Sequence, residues 1–222
     1  MNHPLMNSFF ESGIVAQIII IILLLLSVSA WTIIIEKYFL FRKLKLSAAL
    51  FLEYFHATAH LSIDAKKFSS FQNESLLKKL YLVGIKELNQ IRSQTNAPLT
   101  INHFRDLENA LKRFMTKESQ RLGKNMIILA TSANASPLLG LLGTVYGLLI
   151  AFHDMGIMGS ASIDVVSPGI SQALATTVLG LFVAIPSAVG YNYLLNTIKN
   201  LLIDMENFMS EFMSLIEKGH AE

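Results

Sequence analysis

The sequence predicts an all-α membrane protein in which three transmembrane helices extend into a cytoplasmic helical bundle. The chain of 222 residues is 52% hydrophobic and has a mean hydropathy of +0.47, which is too apolar for an ordinary soluble domain. Apolar runs at 14–35, 126–152 and 168–195 each reach the ~20 residues that a helix needs to cross a bilayer. The segments beside these runs have apolar residues at helical spacing, which favours helices over strands.

The first apolar run is predicted to be a retained membrane anchor. Val28, Ser29 and Ala30 resemble the small-residue cleavage site of a secretory signal. However, the residues before the run include Glu11 and no Lys or Arg, and the run is longer than the apolar region of a signal peptide. Because residues 14–62 contain no proline or glycine, we expect this helix to continue beyond the membrane.

The distribution of basic residues orients the spans. Sixteen of the eighteen Lys and Arg residues lie between Lys37 and Lys124, and the other two, Lys199 and Lys218, follow the third span. Cytoplasmic flanks accumulate basic residues, so these regions are predicted to face the cytoplasm. The predicted segments are an outward N-terminus (1–13), transmembrane helix 1 (14–36), a cytoplasmic helical domain (37–124), transmembrane helix 2 (125–153), an outward loop (154–166), transmembrane helix 3 (167–195) and a cytoplasmic C-terminal helix (196–222).

Two further helices are predicted between the first and second spans. A polar connection at 64–73 precedes a helical pattern at 74–94. Residues 96–98 break this pattern, because proline disfavours helix in the residue before it, and Thr100 is a suitable N-cap for the next helix. That helix is amphipathic, and Gly123 is the only helix-weakening residue between it and the second span. Its apolar positions are Leu107, Leu111, Phe114, Met115 and Leu122, and a similar stripe continues the third span through Ile198, Leu202, Met205, Phe208, Phe212, Leu215 and Ile216.

The second and third spans carry polar character only through small, hydroxylic and amide residues. Residues three and four apart share one face of a helix, and each span has one face of small residues at this spacing. These faces comprise Ser136, Gly140, Thr144 and Gly147 on the second span, and Ala173, Thr177, Gly180, Ala184 and Ala188 on the third, with Ser171, Gln172 and Thr176 nearby. Pro137 and Pro186 predict kinks inside the two spans.

Two interpretations of these faces remain open. In the first, the spans only pack: Gly143 and Gly147 let the backbones approach, while Thr144 and Thr177 donate hydrogen bonds to carbonyls four residues back, those of Gly140 and Ala173. In the second, several copies of the chain surround a partner helix that supplies a titratable group, and the threonines line the space around it. The residues alone favour the packing interpretation.

No strongly titratable side chain is predicted at depth in the second or third span. The only Asp, Glu, His, Lys or Arg residues between Asn125 and Ile198 are His153, Asp154 and Asp164, all at or in the outward loop. His56 and His60 have i, i+4 spacing, but no third metal ligand accompanies them. The sequence therefore predicts no enzyme, no metal site and no cofactor. The absence of cysteine excludes disulfides, and a net charge of +2 gives no support for nucleic-acid binding.

Three motifs resemble a known family. They are Ser-Pro-Leu-Leu-Gly-Leu-Leu-Gly-Thr-Val-Tyr-Gly at 136–147, Val-Ser-Pro-Gly-Ile-Ser-Gln-Ala-Leu at 166–174 and Thr-Val-Leu-Gly-Leu-Phe-Val-Ala-Ile-Pro at 177–186. In residues, order and spacing they resemble the TolQ/ExbB branch of the proton-driven motor family that also includes MotA. Within this branch, residues 30–35 and 207–212 and the short outward N-terminus are more similar to TolQ members than to ExbB members.

The resemblance implies a homopentameric ring of three-span subunits in the bacterial inner membrane, which makes the outward segments periplasmic. It also implies a TolR-like or ExbD-like dimer of single-span chains in the ring pore, and a TolA-like or TonB-like protein that receives the work. In this family an aspartate of the partner helix takes up and releases protons. The resemblance places the proton pathway and pore lining at Thr144, Thr177, Gly140, Gly147, Gln172, Ala173, Gly180 and Ala184.

The function implied is that of a stator and proton-channel subunit that converts proton motive force into mechanical work, supporting outer-membrane integrity and cell division. The alternative within the branch is an ExbB-like subunit that energises TonB-dependent outer-membrane import. A structural scaffold, in which the hydroxyl face only packs, is an alternative of another class. A small-solute transporter is disfavoured, because no inverted repeat or charged midplane site is visible.

The chain departs from the family pattern at two positions. Gln172 stands where many members of the branch have glutamate, and Thr176 stands where alanine is more usual. A glutamine side chain donates and accepts hydrogen bonds but does not titrate. A proton-relay role is therefore not carried over to Gln172, and coupling is expected to depend more fully on the partner's aspartate.

Overall fold

Five α-helices make up the described part of the chain. The structure, a computed structural model, describes residues 14–58, 75–94, 99–159 and 162–221. The helices are α1 (Ile14–Thr58), α2 (Leu76–Gln94), α3 (Ile101–Gly123), α4 (Met126–Met158) and α5 (Ile163–Ala221). The all-α prediction is confirmed for these residues. The N-terminal segment 1–13 and the predicted breaks at 64–73 and 96–98 lie outside them.

The chain divides into two compact units. The first, called here the span unit, contains the described residues up to Glu36 together with Asn125–Leu194. The second, called here the helical unit, contains the described residues of Lys37–Lys124 and Leu195–Glu222. In the described residues three helices, α1, α4 and α5, are long and apolar enough to cross a membrane. The prediction of three apolar spans is thereby confirmed by length and composition.

The span unit brings α1 against α5. Ile19, Leu23 and Val183 form a buried cluster, and Leu139 of α4 and Leu179 of α5 pack against it. Farther along the same two helices, a Cβ added to Gly190 would lie 2.7 Å from Cδ1 of Ile34. The absence of a side chain at this glycine therefore lets the two helices approach closely.

The helical unit is built around a cluster of aromatic rings that come from three helices. Phe51 and Phe55 of α1, Tyr81 of α2, and Phe208 and Phe212 of α5 are each at most 2% exposed. The ring centroids of Phe55 and Phe208 are 4.9 Å apart, and those of Tyr81 and Phe212 are 5.4 Å apart, both in edge-to-face arrangements. Such pairs are favoured over face-to-face stacking because ring edges are positive and faces negative.

The amphipathic pattern of α3 is confirmed with one difference. Leu107, Leu111, Met115 and Leu122 are buried, whereas Phe114 is only half-buried. Thr100 is the N-cap residue as predicted, and its backbone N–H donates to Nδ1 of His103 at 3.2 Å. This contact gives His103, which the sequence left without a role, a place in the cap of α3.

The ends of two helices differ from the expected positions. α4 continues to Met158 and α5 already begins at Ile163, so most of the expected outward loop at 154–166 is helical. An apolar run sets where a helix can cross the membrane, but backbone hydrogen bonding continues beyond it. At the other end of α4, the left-handed residue is Asn125, with φ of 67°. The turn into the second span is thus made there and not at Gly123.

Candidate functional site: the α4–α5 seam

The small faces of α4 and α5 lie against each other within one chain. A Cβ added to Gly180 would lie 2.6 Å from the carbonyl oxygen of Ser136, and one added to Gly140 would lie 3.0 Å from Cα of Thr177. One added to Gly147 would lie 2.8 Å from Cβ of Ala173. The two backbones are therefore in direct contact. We call this contact the seam, formed by Ser136, Gly140, Gly143 and Gly147 of α4 and by Gly169, Ala173, Thr176, Thr177 and Gly180 of α5.

Thr176 occupies the centre of the seam. Its side chain is fully buried, and a Cβ added to Gly143 would collide with it. Its hydroxyl donates to the carbonyl of Ala173 at 2.7 Å, with a longer contact of 3.4 Å to the carbonyl of Gly140. Thr176 and Gly143 were absent from the predicted path. Spacing could have identified Thr176, because it lies three residues after Ala173 and four before Gly180, on the same helical face.

The hydrogen bonds predicted for the two other threonines were wrong. The hydroxyl of Thr144 donates to the carbonyl of Leu141, three residues back, at 2.7 Å. The hydroxyl of Thr177 crosses the seam and donates to the carbonyl of Gly140 at 3.1 Å. The crossing is possible because Gly140 has no side chain to cover its own carbonyl. Thr177 therefore joins the two helices, whereas Thr144 binds only to its own.

The remaining predicted residues divide by burial. Gly140, Gly147, Ala173, Gly180 and Ala184 are buried, so their small size serves the contact between helices. Thr144, Thr177 and Gln172 are half-buried and keep accessible surface in the single chain.

Several polar atoms near the seam are buried without a partner among the described residues. They are the hydroxyls of Ser132 and Ser136 and the amide nitrogen Nε2 of Gln172. Several other helical hydroxyls in the described part of the chain bond to a carbonyl three or four residues back, as that of Ser187 does to Val183 at 2.7 Å. Orphaned polar atoms of this kind are costly to bury.

Pro137 and Pro186 lie inside α4 and α5, and both helices continue past them. Proline has no backbone N–H, so the carbonyls four residues earlier, in Ala133 and Phe182, lose their helical donor. Such breaks are tolerated where neighbouring groups satisfy the freed carbonyls. The kinks expected at the two prolines stay a prediction.

The seam contains no acid or base. His153 and Asp164 are exposed and Asp154 is half-buried. His153 and Asp154 lie in the last two turns of α4, and Asp164 lies in the first turn of α5. Within the described ranges, no group of three or more His, Asp or Glu side chains could hold a metal ion. The chemistry available at the seam is hydrogen bonding by neutral hydroxyl, amide and carbonyl groups. Among the described residues, none supplies a titratable group to the seam.

The faces of α4 and α5 that point away from the seam are apolar and exposed. They include Leu138, Leu141, Leu142, Val145 and Leu149 on α4, and Leu174, Val178, Leu181, Phe182 and Ile185 on α5. Beside α1, an apolar groove of about 720 Å³ is lined in part by Trp31, Phe182 and Pro186. Contiguous exposed apolar surface of this kind contacts lipid or other protein chains.

Comparison with known proteins assigns the family. Residues 74–207 match the MotA/TolQ/ExbB proton channel family. The chain belongs to this family. It is 30% identical over 218 residues to the Tol-Pal system protein TolQ of Haemophilus influenzae, with 96% of this chain and 93% of the relative covered. It is 28% identical over 221 residues to TolQ of Pseudomonas aeruginosa, covering 98% and 95%.

A second kind of family member is also similar over most of the chain. The biopolymer transport protein ExbB of Neisseria meningitidis serogroup A is 29% identical over 203 residues, with 89% of this chain and 90% of the relative covered. The segment that matches the MotA/TolQ/ExbB family includes the whole seam, from Ser136 to Gly180, and leaves out the apolar part of α1. The seam is thus a feature of the part of the chain that defines membership of the MotA/TolQ/ExbB family.

Proposed function

We propose that this chain is a TolQ-like stator subunit in the inner membrane of a bacterium. Five copies form a ring around the transmembrane helices of a TolR-like dimer, and proton flow through the complex is converted into mechanical work on a TolA-like protein. That work supports outer-membrane integrity and cell division. The observation that carries the proposal is similarity to TolQ proteins over 96% of the chain, together with half-buried threonines in spans without an acid.

The proposed topology follows from charge. Residues 37–124 and 196–222 face the cytoplasm because they hold all the Lys and Arg residues. Residues 1–13 and 154–166 face the periplasm, and the three spans occupy 14–36, 125–153 and 167–195.

Within the ring, we assign two roles to the residues predicted for the proton path. Thr144, Thr177 and Gln172 are half-buried in the single chain, so we place them beside the partner helix. There the two hydroxyls would turn from the carbonyls of Leu141 and Gly140 to donate to the partner's carboxylate. Gly140, Gly147, Ala173, Gly180 and Ala184 set the distance between α4 and α5, because they are buried in or beside the seam. A carboxylate at mid-membrane is costly unless it is hydrogen-bonded, so hydroxyls beside the partner's aspartate would stabilise its charged form.

The test is substitution of the two half-buried threonines. Thr144→Ala and Thr177→Ala are expected to leave the ring and its partner co-purifying but to sensitise cells to detergent, since the hydroxyls no longer stabilise the aspartate. Thr177→Ser, which keeps the hydroxyl, is expected to retain function. Thr32→Ala is the matched control, because the Thr32 hydroxyl donates to the Val28 carbonyl of its own helix, at 2.8 Å, on an exposed face. Normal detergent resistance in both alanine variants would contradict the proposal.

An ExbB-like role is the second candidate, favoured by the similarity to the Neisseria ExbB protein over 203 residues. In that case, deletion of the gene would impair TonB-dependent import through the outer membrane and leave detergent resistance intact. The two roles are therefore separated by scoring one deletion strain for both phenotypes, with the wild-type gene supplied on a plasmid as the control.

A further inference from the structure

Lys37 is a buried cation outside the seam. Only 5% of its surface is exposed, and it lies in α1 at the first position of the helical unit. Lysine is almost never buried unless its charge is paired or hydrogen-bonded, because removing an ammonium group from water is costly. The exposed lysines of the same helix, Lys43 and Lys45, bear no such cost. A specific interaction must therefore hold Lys37 in place.

One interaction of Lys37 is with the C-terminal end of α3. Nζ of Lys37 donates to the carbonyl oxygen of Leu122 at 2.9 Å, across 85 positions of sequence. Leu122 lies in the last turn of α3, where carbonyls have no helical donor and where the helix dipole places partial negative charge. A cation is favoured at this end on both grounds. Lys37 thus caps α3 from a different helix.

The capped turn is followed directly by the connection between α3 and α4. We call this connection, residues 124–125, the elbow. The backbone N–H of Lys124 donates to the carbonyl of Arg121 at 3.3 Å. Asn125 then adopts a left-handed conformation, and its carbonyl accepts the N–H of Ile128 at 3.1 Å. Three residues after the carbonyl that Lys37 binds, the chain has therefore left the helical unit and entered the span unit. A displacement of the last turn of α3 would be passed on through only two residues.

We propose that Lys37 is a positioning residue for force transmission, acting as a latch between α1 and the last turn of α3. This inference rests on the proposed function, in which work done at the spans must reach the rest of the assembly. With the hydrogen bond between Lys37 and Leu122 formed, the end of α3 is fixed to α1. The position at which the chain enters the elbow is then fixed as well. Without this hydrogen bond, the turn at 121–125 opens locally, and motion of α4 is no longer passed on to α3.

The experiment compares three variants in the purified complex and in cells that lack the chromosomal copy. Lys37→Met keeps the length of the side chain and removes its donor, Lys37→Arg keeps a donor, and Lys43→Met is the matched control on an exposed part of α1. Lys37→Met leaves the carbonyl of Leu122 without this donor, so the melting temperature is expected to fall modestly. Because a fall in melting temperature does not show where the chain opens, a local measurement is needed as well.

Backbone hydrogen exchange of residues 121–128 is that local measurement. A hydrogen bond from a charged donor is lost in K37M, so amide exchange in this segment is expected to accelerate roughly tenfold to a hundredfold. Exchange in the aromatic cluster is expected to be unchanged. Cells with K37M are expected to become detergent-sensitive, K37R to recover at least part of both properties, and K43M to match wild type.

Two results would overturn the inference. One is unchanged exchange at 121–128 in K37M, which would mean that no latch exists. The other is accelerated exchange with full detergent resistance. That result would mean that the contact between Lys37 and Leu122 exists but is not needed for force transmission. Failure of the wild-type gene to restore detergent resistance, with the exchange pattern as expected, would overturn the proposed function while supporting the latch itself.

Discussion

Where α4 meets α5, glycine lies against threonine and bare backbone; where α1, α2 and α5 meet in the helical unit, aromatic rings lie against one another. Both contacts bury their central residues almost completely, yet they use side chains from opposite ends of the size scale. Lipid tails are as apolar as leucine, so helices in a membrane gain more from close backbone contact and interhelical hydrogen bonds than from large side chains. In water, removal of aromatic surface from solvent is the dominant gain.

The comparison predicts the largest loss of stability for a truncation in the aromatic cluster. Phe208 is 2% exposed and lies within 6.3 Å, between ring centroids, of Phe51, Phe55 and Phe212. Phe208→Ala is expected to lower the free energy of unfolding by about 3–5 kcal/mol, because it leaves a cavity. Thermal melting of the detergent-solubilised protein measures this, with Phe39→Ala as control since Phe39 is 62% exposed. Equal effects of the two variants would show that the cluster is not a core.

An intermediate loss is predicted for an added methyl group in the seam. Gly180→Ala places a Cβ 2.6 Å from the backbone oxygen of Ser136, so the two helices must separate, at about 1–3 kcal/mol. Gly156→Ala is the matched control on α4, because its Cβ meets nothing within 4 Å in the chain. That control is expected to raise the melting temperature slightly, since alanine is about 0.5–1 kcal/mol better than glycine inside a helix. A stabilising Gly180→Ala would contradict direct backbone contact at the seam.

The smallest effect is predicted for an ion pair at the surface of the helical unit. Nε2 of His56 lies 3.0 Å from a carboxylate oxygen of Glu211, and the two side chains are 58% and 42% exposed. Solvent screens such pairs, and the attraction is present only when the histidine is protonated, so His56→Ala is expected to cost roughly 0.2–1 kcal/mol. A double-mutant cycle with Glu211→Gln isolates the pair. A coupling as large as the Phe208→Ala effect would mean that surface charge, not aromatic burial, holds this unit.

The two regions also differ in how far their sequences predicted them. The seam could be anticipated, because the small residues of each span recur at three and four positions and mark one face of each helix. The aromatic cluster could not be assembled in this way. Phe208 and Phe212 were recognised as an apolar stripe, but nothing in their spacing indicates that Phe51 and Tyr81 would meet them.

Within the seam, the direction of individual hydrogen bonds was beyond the reach of sequence. A threonine in a helix has carbonyls three and four residues back within range, and here Thr144 uses the nearer one while Thr177 uses neither. The choice depends on whether a neighbouring helix exposes a better acceptor. The carbonyl of Gly140 is such an acceptor, and its availability follows from contact between helices that local sequence does not encode.

The sequence by itself determined the three apolar spans, the helical character of the segments beside them, the small faces of α4 and α5, and the motifs that indicate the family. These are consequences of local periodicity and of the polarity that a membrane demands. Only the tertiary structure decided that the two small faces meet within one chain, that the turn into α4 is made at Asn125, and that Lys37 caps α3 across 85 positions. The reason is that periodicity specifies which face of a helix is buried, whereas the partner of that face is selected by packing among distant segments.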